Sequence, residues 1–424
     1  MRRRNFARRK KQSVVSIILD LILILGIGYA VIQSNLNING TANMGAPTWN
    51  IHWANVQVKS GSVSASTPTI NSAQTTVTYS VVLNVPGDFY EFTVYAVNSG
   101  TIDGMIDSIT SKLNGATITN LPDYLRYTVT YSDGVPLAVN QLLAAGTTEK
   151  YRVRIEYRTD IELNQIPSTN QSLPFQFTVK YKQADTNATT IDHSFANQSW
   201  EAIIDNVRSG NTSNYNVGDT KTVDMGTLGT HTLRIANKST PAECSTTGFS
   251  QTACGFVLEF ADIITTHNMN STNTNVGGWP ASEMRTYVNS DIYNALSSEL
   301  KNGIINTTVV SGHGANDSSN FTSTDKLYLL STKEVWGKEG TTDVIEYDTA
   351  EAETRQLDYY SSQNVTTSNY SGAIKQNNGS NDYWWLRSAF SDYSNIFYCV
   401  NGNGNGSTYR STYTRGVSPA FRIG

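Results

Sequence analysis

Cysteine is scarce in this chain: three among 424 residues, at positions 244, 254 and 399. That excludes a disulfide-dense miniature scaffold, and no cysteine or histidine pair stands at zinc-ligand spacing. The five histidines are isolated from one another, and none sits in the His-Glu-x-x-His pattern of a metalloprotease helix. Charged residues make up only 16%, and the basic ones cluster nowhere beyond the first dozen positions, so the footprint of a nucleic-acid binder is absent. The Asn-Gly repeat at 401–406 has no following helix to offer N–H groups to a phosphate. Long apolar runs are missing too, with one exception, Val14 to Ile32.

That exception follows Arg2, Arg3, Arg4, Arg8, Arg9, Lys10 and Lys11. A basic stretch before an apolar run is a secretory address, with its charges left on the cytoplasmic side. Gly28 and Ala30 fit a small-x-small cleavage site, while the run also approaches the roughly 20 residues that span a bilayer. Asp20 inside it argues weakly for cleavage, since a charge there costs about 3 kcal/mol on insertion scales. Residues 1–35 therefore read as a signal or transmembrane segment, with cleavage and anchoring both open, and the remainder as extracellular and displayed at the cell surface. Cys244 and Cys254 flank a short polar loop, and in that compartment they are expected to form a local disulfide.

What the chain has in abundance is Asn, Ser, Thr, Tyr and β-branched residues, the composition of a largely β protein. Between 36 and 182, Thr75–Leu83, Tyr90–Val97, Leu125–Tyr131, Tyr151–Tyr157 and Phe175–Tyr181 alternate apolar and polar residues with period two, as half-buried strands do. Turn signals at Pro86-Gly87, Asp133-Gly134 and Ala145-Gly146 separate them, so an all-β, jelly-roll-like sandwich is expected. Ile102–Leu113 is spaced as a short amphipathic helix. Residues 183–198 are a polar linker.

From 199 to 424 the pattern becomes α+β. Ser199 is placed to cap a helix whose Trp200, Ile203, Ile204 and Val207 share a face. Strands are expected at Lys221–Met225, His231–Ile235, Gly255–Phe260 and Lys326–Ser331, and a second helix from Pro280 to about Gly303. Glu346, Asp348, Glu351, Glu353 and Asp358 leave a structural calcium ion open, although their spacing favours a solvated acidic face. No cofactor is otherwise implied.

The terminal stretch differs from all of this. Trp384, Trp385, Leu386 and Arg387 on one side and Gly416, Val417, Pro419 and Phe421 on the other read as scaffold. The segment between, about 388–415, is written in Tyr, Ser, Asn, Gly, Thr, Asp and Arg. That is the vocabulary of a binding surface, because Tyr supplies contact area at low entropic cost and small polar residues adapt their hydrogen bonds. The candidate contacts are Phe390, Ser391, Asp392, Tyr393, Ser394 and Asn395, then Tyr398, Cys399, Asn401, Asn403 and Asn405. Ser407, Thr408, Tyr409, Arg410, Ser411, Thr412, Tyr413 and Thr414 complete them.

The frame Trp384-Trp385-Leu386-Arg387-Ser388, Phe397, Val400 and Gly416-Val417-x-Pro419-Ala420-Phe421 resembles the end of a C-type-lectin-like domain of the kind related to formylglycine-generating enzymes. The layout is similar to that of the variable proteins of diversity-generating retroelements, in which reverse transcription that errs at adenines rewrites a C-terminal segment. An Asn codon mutated at its adenines never yields Trp, Met, Lys, Glu or Gln, and the interval from Phe390 to Arg415 contains none of the five. Such families often carry Arg where this chain has Ser418. The resemblance implies recognition of a protein or glycan on another cell, a phage or a host surface. Formylglycine-generating enzymes use two cysteines in this part of the fold, and only Cys399 is present, so no enzymatic activity is expected.

Leu36-Asn37-Ile38-Asn39-Gly40-Thr41-Ala42, Pro86-Gly87-Asp88-Phe89-Tyr90-Glu91-Phe92 and Val97-Asn98-Ser99-Gly100-Thr101-Ile102-Asp103 resemble the TasA/camelysin family of exported β-sandwich proteins. That resemblance implies a presentation module, or in an alternative reading a fibre subunit of a biofilm matrix. His52 stands alone and supports no protease chemistry.

Overall fold

Period-two alternation becomes pairing over the first half of the chain. In the computed structural model, which describes residues 45–424 apart from 60, 64–66, 80, 160, 169–173 and 338–353, β1 (Ile51–Val58), β2 (Phe89–Asn98), β3 (Gly104–Leu113), β4 (Leu125–Tyr131), β5 (Thr148–Tyr157) and β6 (Phe175–Gln183) are the long strands. One sheet has the order β1-β2-β5-β4; the other pairs β6 with β3, and the short pieces Ala116–Thr117 and Leu142–Leu143 also pair with β3. In β5 the buried residues are Tyr151, Val153, Ile155 and Tyr157, alternating strictly. The two sheets meet face to face: Tyr127 of β4 stacks on Phe175 of β6, and the Tyr151 hydroxyl meets that of Tyr181.

Two expectations fail here. Ile102–Leu113 is not a helix: Gly104–Leu113 pairs with β6 along its whole length. The extra residue Asp107 bulges between Ile106 and Ser108, so Met105 and Ile106 are both buried and the alternation that marks a strand is broken. Among the described residues of Thr75–Leu83 only Val77–Thr78 forms a strand, in a two-stranded ribbon with Thr69–Ile70.

The second half holds its own core. The helix α1 (Trp200–Arg208) is capped by the Ser199 hydroxyl accepting from the Ala202 amide, and it buries Trp200, Ala202, Ile203 and Ile204. The strands β7 (Thr220–Asp224), β8 (Thr230–Asn237), β9 (Val257–Phe260), β10 (Thr265–His267), β11 (Trp384–Ala389), β12 (Ile396–Val400), β13 (Gly406–Arg410), β14 (Arg415–Val417) and β15 (Ala420–Arg422) follow. They form two sheets, β7-β8-β9-β15 and β10-β14-β11-β12-β13. Strands from the far C-terminus thus complete sheets begun at Thr220 and Thr265. Cys244 and Cys254 are joined by a disulfide.

The expected helix from Pro280 to Gly303 is a series of short turns instead: Gly278–Ala281, Glu283–Tyr287, a π-turn Val288–Ile292, Tyr293–Ala295 and Ser298–Lys301. Ser282 and Ser297 take extended backbone and cap new turns, accepting from the amides of Arg285 and Leu300, which breaks the continuous helix. Lys326–Ser331 is not a strand. Leu327, Tyr328, Leu329 and Leu330 are fully buried, but only Tyr328 bridges, to Ala420.

The expected linker contributes to both cores. Ile191 packs on the first core, and Phe195 is buried in the second. Beside it a cluster of ion pairs joins the two halves: Lys59 reaches Glu201 and Asp205 of α1, Arg154 pairs with Glu91, and Arg152 bonds Glu201.

The basic and apolar N-terminus, Leu36–Ala42 and the acids Glu346, Asp348, Glu351 and Glu353 lie outside the described residues. Among the described residues no helix is long and apolar enough to cross a membrane, and no acidic or histidine cluster could hold a metal. Asp358, the remaining member of the acidic set, accepts from the amides of Lys238 and Ser239 and from Arg355.

Candidate binding surface

The Tyr/Ser/Asn segment rests on a frame of buried aromatics and one buried ion pair. Trp384 and Trp385 are fully buried, their indole nitrogens donating to the carbonyls of Ala373 (3.1 Å) and His267 (2.9 Å). Leu386, Val417 and Phe421 are buried beside them, as is Pro419. Gly416 is required by close approach, since a Cβ there would lie 2.7 Å from the Tyr383 carbonyl.

Arg387 is buried in full and pairs bidentately with buried Glu334 at 2.6 Å for each bond. It donates further to the carbonyls of Leu329 and Val310. Burial would raise the Glu334 carboxyl, but Arg387 outweighs it and holds the group below its ordinary range. Ser418, where a cation was expected, donates to the Phe260 carbonyl and accepts from Lys375, which pairs with Glu259 at 2.7 Å. Arg234 binds the other Glu259 oxygen at 2.7 Å. Burial opposes ionisation of Glu259, yet Arg234 and Lys375 hold it at about 2, while burial lowers Lys375 to about 8.

On this frame β12 and β13 form a hairpin, with Ile396 opposite Arg410 and Val400 opposite Gly406. The candidate contacts therefore divide between its two ends. Residues 401–405 form the closing turn, while 391–395 and 411–414 flank the open end. The closing turn is organised by Asn401, whose side chain accepts from the amides of Asn403 (2.8 Å) and Asn405 (3.1 Å). Trp336 donates to the Gly404 carbonyl at 3.3 Å. Asn403 is exposed, but Asn401 is a framework residue.

Three further expectations are corrected. Tyr398, Cys399 and Ser411 are buried, because β12 lies inside its sheet with neighbours on both edges and Ser411 is turned inward. Burial also pushes the Cys399 thiol up to about 12.

The open end is exposed. Tyr393 is 59% and Tyr413 46% accessible, with Asp392, Arg410, Thr412 and Thr414 also exposed and Ser391, Ser394, Asn395, Ser407, Thr408 and Tyr409 half-buried. Phe390 stacks on Tyr393 with centroids 5.7 Å apart. Among the described residues the side chains of Asp392, Tyr393, Ser394, Asn395, Arg410, Thr412, Tyr413 and Thr414 make no hydrogen bond within the chain.

The backbone beneath these side chains is nonetheless fixed, by a loop the sequence did not single out. Buried Asn275 directs its amide nitrogen at the carbonyls of Phe390 (3.1 Å), Tyr393 (2.7 Å) and Ile396 (2.8 Å). Its own amide donates to the Ser394 carbonyl at 2.7 Å. Gly314 makes room, since a Cβ there would lie 2.4 Å from the Asn275 oxygen. The other flank is held likewise: the Ser411 amide donates to Asn395, its carbonyl accepts from Asn270, and its hydroxyl donates to the Thr272 carbonyl. A polar run at 270–275, of the same composition as the terminal segment, was the one available signal.

Tyr383 and Arg415 were also missed as parts of the surface. The Arg415 guanidinium lies 3.9 Å from the Tyr409 ring centroid, 5.1 Å from that of Tyr383 and 5.6 Å from that of Tyr413. Nothing in this arrangement pairs a nucleophile with a base; it offers contact area, hydrogen-bonding groups and positive charge.

No curated protein matches the chain. The family described as Domain of unknown function (DUF6273) matches residues 256–424, a span that contains β9 through β15, the Asn275 loop and every residue of the exposed face.

Proposed function

We propose that this protein is exported to the cell surface and binds a macromolecular ligand there through the open end of the β12–β13 hairpin, without catalysing a reaction. In this reading the N-terminal segment directs export, the jelly-roll-like β-sandwich lifts the terminal domain from the cell, and that α+β domain has a C-type-lectin-like fold. The partner is a protein or glycan on another cell, a phage or a host surface. No cofactor takes part.

One observation carries the reading. The exposed side chains contribute no hydrogen bond to their own fold, while the backbone that bears them is held at main-chain atoms by Asn275 and Ser411. Residues 391–395 and 412–414 can then change identity at little cost to stability, as a segment rewritten through adenine mutagenesis must. Surface substitutions free of such bonds usually stay within about 0.5 kcal/mol. Sequencing the locus in several isolates of one strain tests this. Substitutions confined to about 388–415, at template adenines beside a reverse transcriptase gene, are expected; an invariant segment would refute diversification and leave a fixed adhesin.

A second reading, a matrix or pilus-like subunit, draws on the first half. The edge strands β1 and β6 border a cavity of about 370 Å³ lined by Trp53, Phe92, Tyr151, Phe175 and Val179, into which a strand of another copy could add. A full chain that stays monomeric at high concentration would exclude it.

A further inference from the structure

Three arginines among the described residues sit on aromatic rings, and two of them are neutralised. Arg234, 3.6 Å from the Tyr359 centroid, pairs with Glu259; Arg154, 4.2 Å from that of Phe89, pairs with Glu91. The third, Arg415, has no carboxylate within 4 Å among the described residues. Its Nη1 donates only to the carbonyl of neighbouring Thr414, and its Nε is buried with no acceptor. A buried donor left unbonded costs about 1–3 kcal/mol, so it calls for an explanation.

The rings fix this cation in place. Tyr383 and Tyr409 meet edge to face at 5.3 Å, and Tyr409 and Tyr413 lie 5.5 Å apart, so the guanidinium lies beside three rings of which Tyr409 touches both others. The neighbouring Tyr409 hydroxyl raises that of Tyr383 above its ordinary range, so Tyr383 stays neutral beside the arginine. A second unpaired cation adjoins the cage: Arg410 is exposed, and its carbonyl accepts from the Tyr413 amide across a tight turn. Aromatic contact area beside a pre-positioned guanidinium is the composition of a protein–protein hot spot, and a carboxylate is the partner that a guanidinium fork matches.

We propose that the cage of Tyr383, Tyr409 and Tyr413 around Arg415 is an anion-reading anchor, and that the ligand is a protein surface presenting an Asp or Glu carboxylate next to an aromatic side chain. The carboxylate meets the Nη end of Arg415, with Arg410 strengthening the local field, and the neighbouring ring lies on Tyr413. This deepens the proposed function and rests on its assignment of the open end as the binding face. A nucleic acid is disfavoured, because two arginines do not make the basic stripe that phosphate tracking requires.

The test uses the full chain in mild detergent and two fluorescein-labelled peptides, one alternating glutamate with tyrosine and the other glutamine with tyrosine, read by anisotropy. The glutamate peptide is expected to bind about tenfold or more tightly than the glutamine peptide, and to weaken as ionic strength rises toward about 0.5 M. Arg415→Gln should abolish that preference. If this variant fails to fold, Arg410→Gln, at an exposed position, should reduce the preference by about threefold or more. Equal binding of the two peptides, no binding of the glutamate peptide, or a preference untouched by the arginine substitutions overturns the proposal. Failure of the underlying reading is separable: equal binding of the two peptides that is lost in Tyr413→Ala would leave the open end as the binding face with its anion preference disproved. Binding of both peptides that survives Tyr413→Ala would place recognition elsewhere.

Discussion

The side-chain amide of Asn275 donates to the carbonyl of Tyr393 at 2.7 Å, joining a fully buried residue to the main chain of one of the most exposed tyrosines. The bond ignores what residue 393 is and fixes only where its backbone runs. Conformation and identity are thereby separated at the open end of the hairpin.

Asn275→Ala should therefore damage the fold, whereas Tyr393→Ala should not. The alanine leaves the carbonyls of Phe390, Tyr393 and Ile396 without their common donor, at about 1–3 kcal/mol. Its melting midpoint is expected to fall by several degrees, roughly 2–4 °C per kcal/mol for a unit of this size. Tyr393→Ala should melt with the parent chain. A calorimetric scan of both decides, and equal melting of the two would show that the loop is held by something else.

Acid should weaken the second half through Glu259. Its folded pKa of about 2 lies below the ordinary 4.5, so the unfolded chain binds the extra proton as pH falls. Stability from this group is complete above about pH 4.5 and lost between there and about pH 2, on the order of 3 kcal/mol in all. Glu259→Gln should lower stability at neutral pH, because Lys375 and Arg234 lose their counter-charge, and should flatten the acid limb of the denaturation profile. An unchanged acid limb in the variant would assign acid lability to other carboxylates.

How much of this was legible in the sequence depends on whether a residue's partner is local. Ser199 capping α1 was readable because its acceptor role reaches three residues ahead. The strands β2, β4, β5 and β6 were readable because each carries its own alternation. Ile102–Leu113 was misread because one bulged residue, Asp107, breaks that alternation, and pairing with β6 lies some seventy residues away in the chain. Asn275 was invisible for the same reason: its acceptors lie 115, 118 and 121 residues downstream, and a lone Asn in a polar run resembles any loop residue. The apolar flanks at Trp384–Leu386 and Val417–Phe421 marked the limits of the surface, but composition could not tell Tyr398, turned inward, from Tyr413, turned out.

The ion-pair cluster at α1 predicts a salt-dependent connection between the two halves. Glu201 is shared by Lys59, Arg152 and Arg154, whose positive charges outweigh its partial burial and hold its carboxyl below the ordinary range. Glu201→Gln, or ionic strength near 1 M where the screening length is about 3 Å, should uncouple the halves. A calorimetric scan of the full chain should then split into two separate transitions. Coincident transitions under both conditions would mean that the docked Phe195 segment, rather than the charges, joins them.

Two of the three glycines of the Asn-Gly repeat, Gly402 and Gly404, should behave differently, although the sequence makes them look alike. Gly404 has φ +90°, and a Cβ there would stand 2.1 Å from the Tyr370 carbonyl. Gly402 has no left-handed backbone, and its nearest neighbour would be 3.4 Å from an added Cβ. Gly402→Ala should be tolerated within about 0.5 kcal/mol. Gly404→Ala combines a strained φ with a backbone collision that no side chain can relieve, and should cost at least about 1–3 kcal/mol. Urea denaturation of the two variants measures the difference. The same contrast constrains variation: across copies of a rewritten segment, exposed 403 is expected to change while 404 stays glycine, since any other residue there would push the turn off Tyr370. A copy that folds with a β-branched residue at 404 would show that the closing turn is as replaceable as the open end.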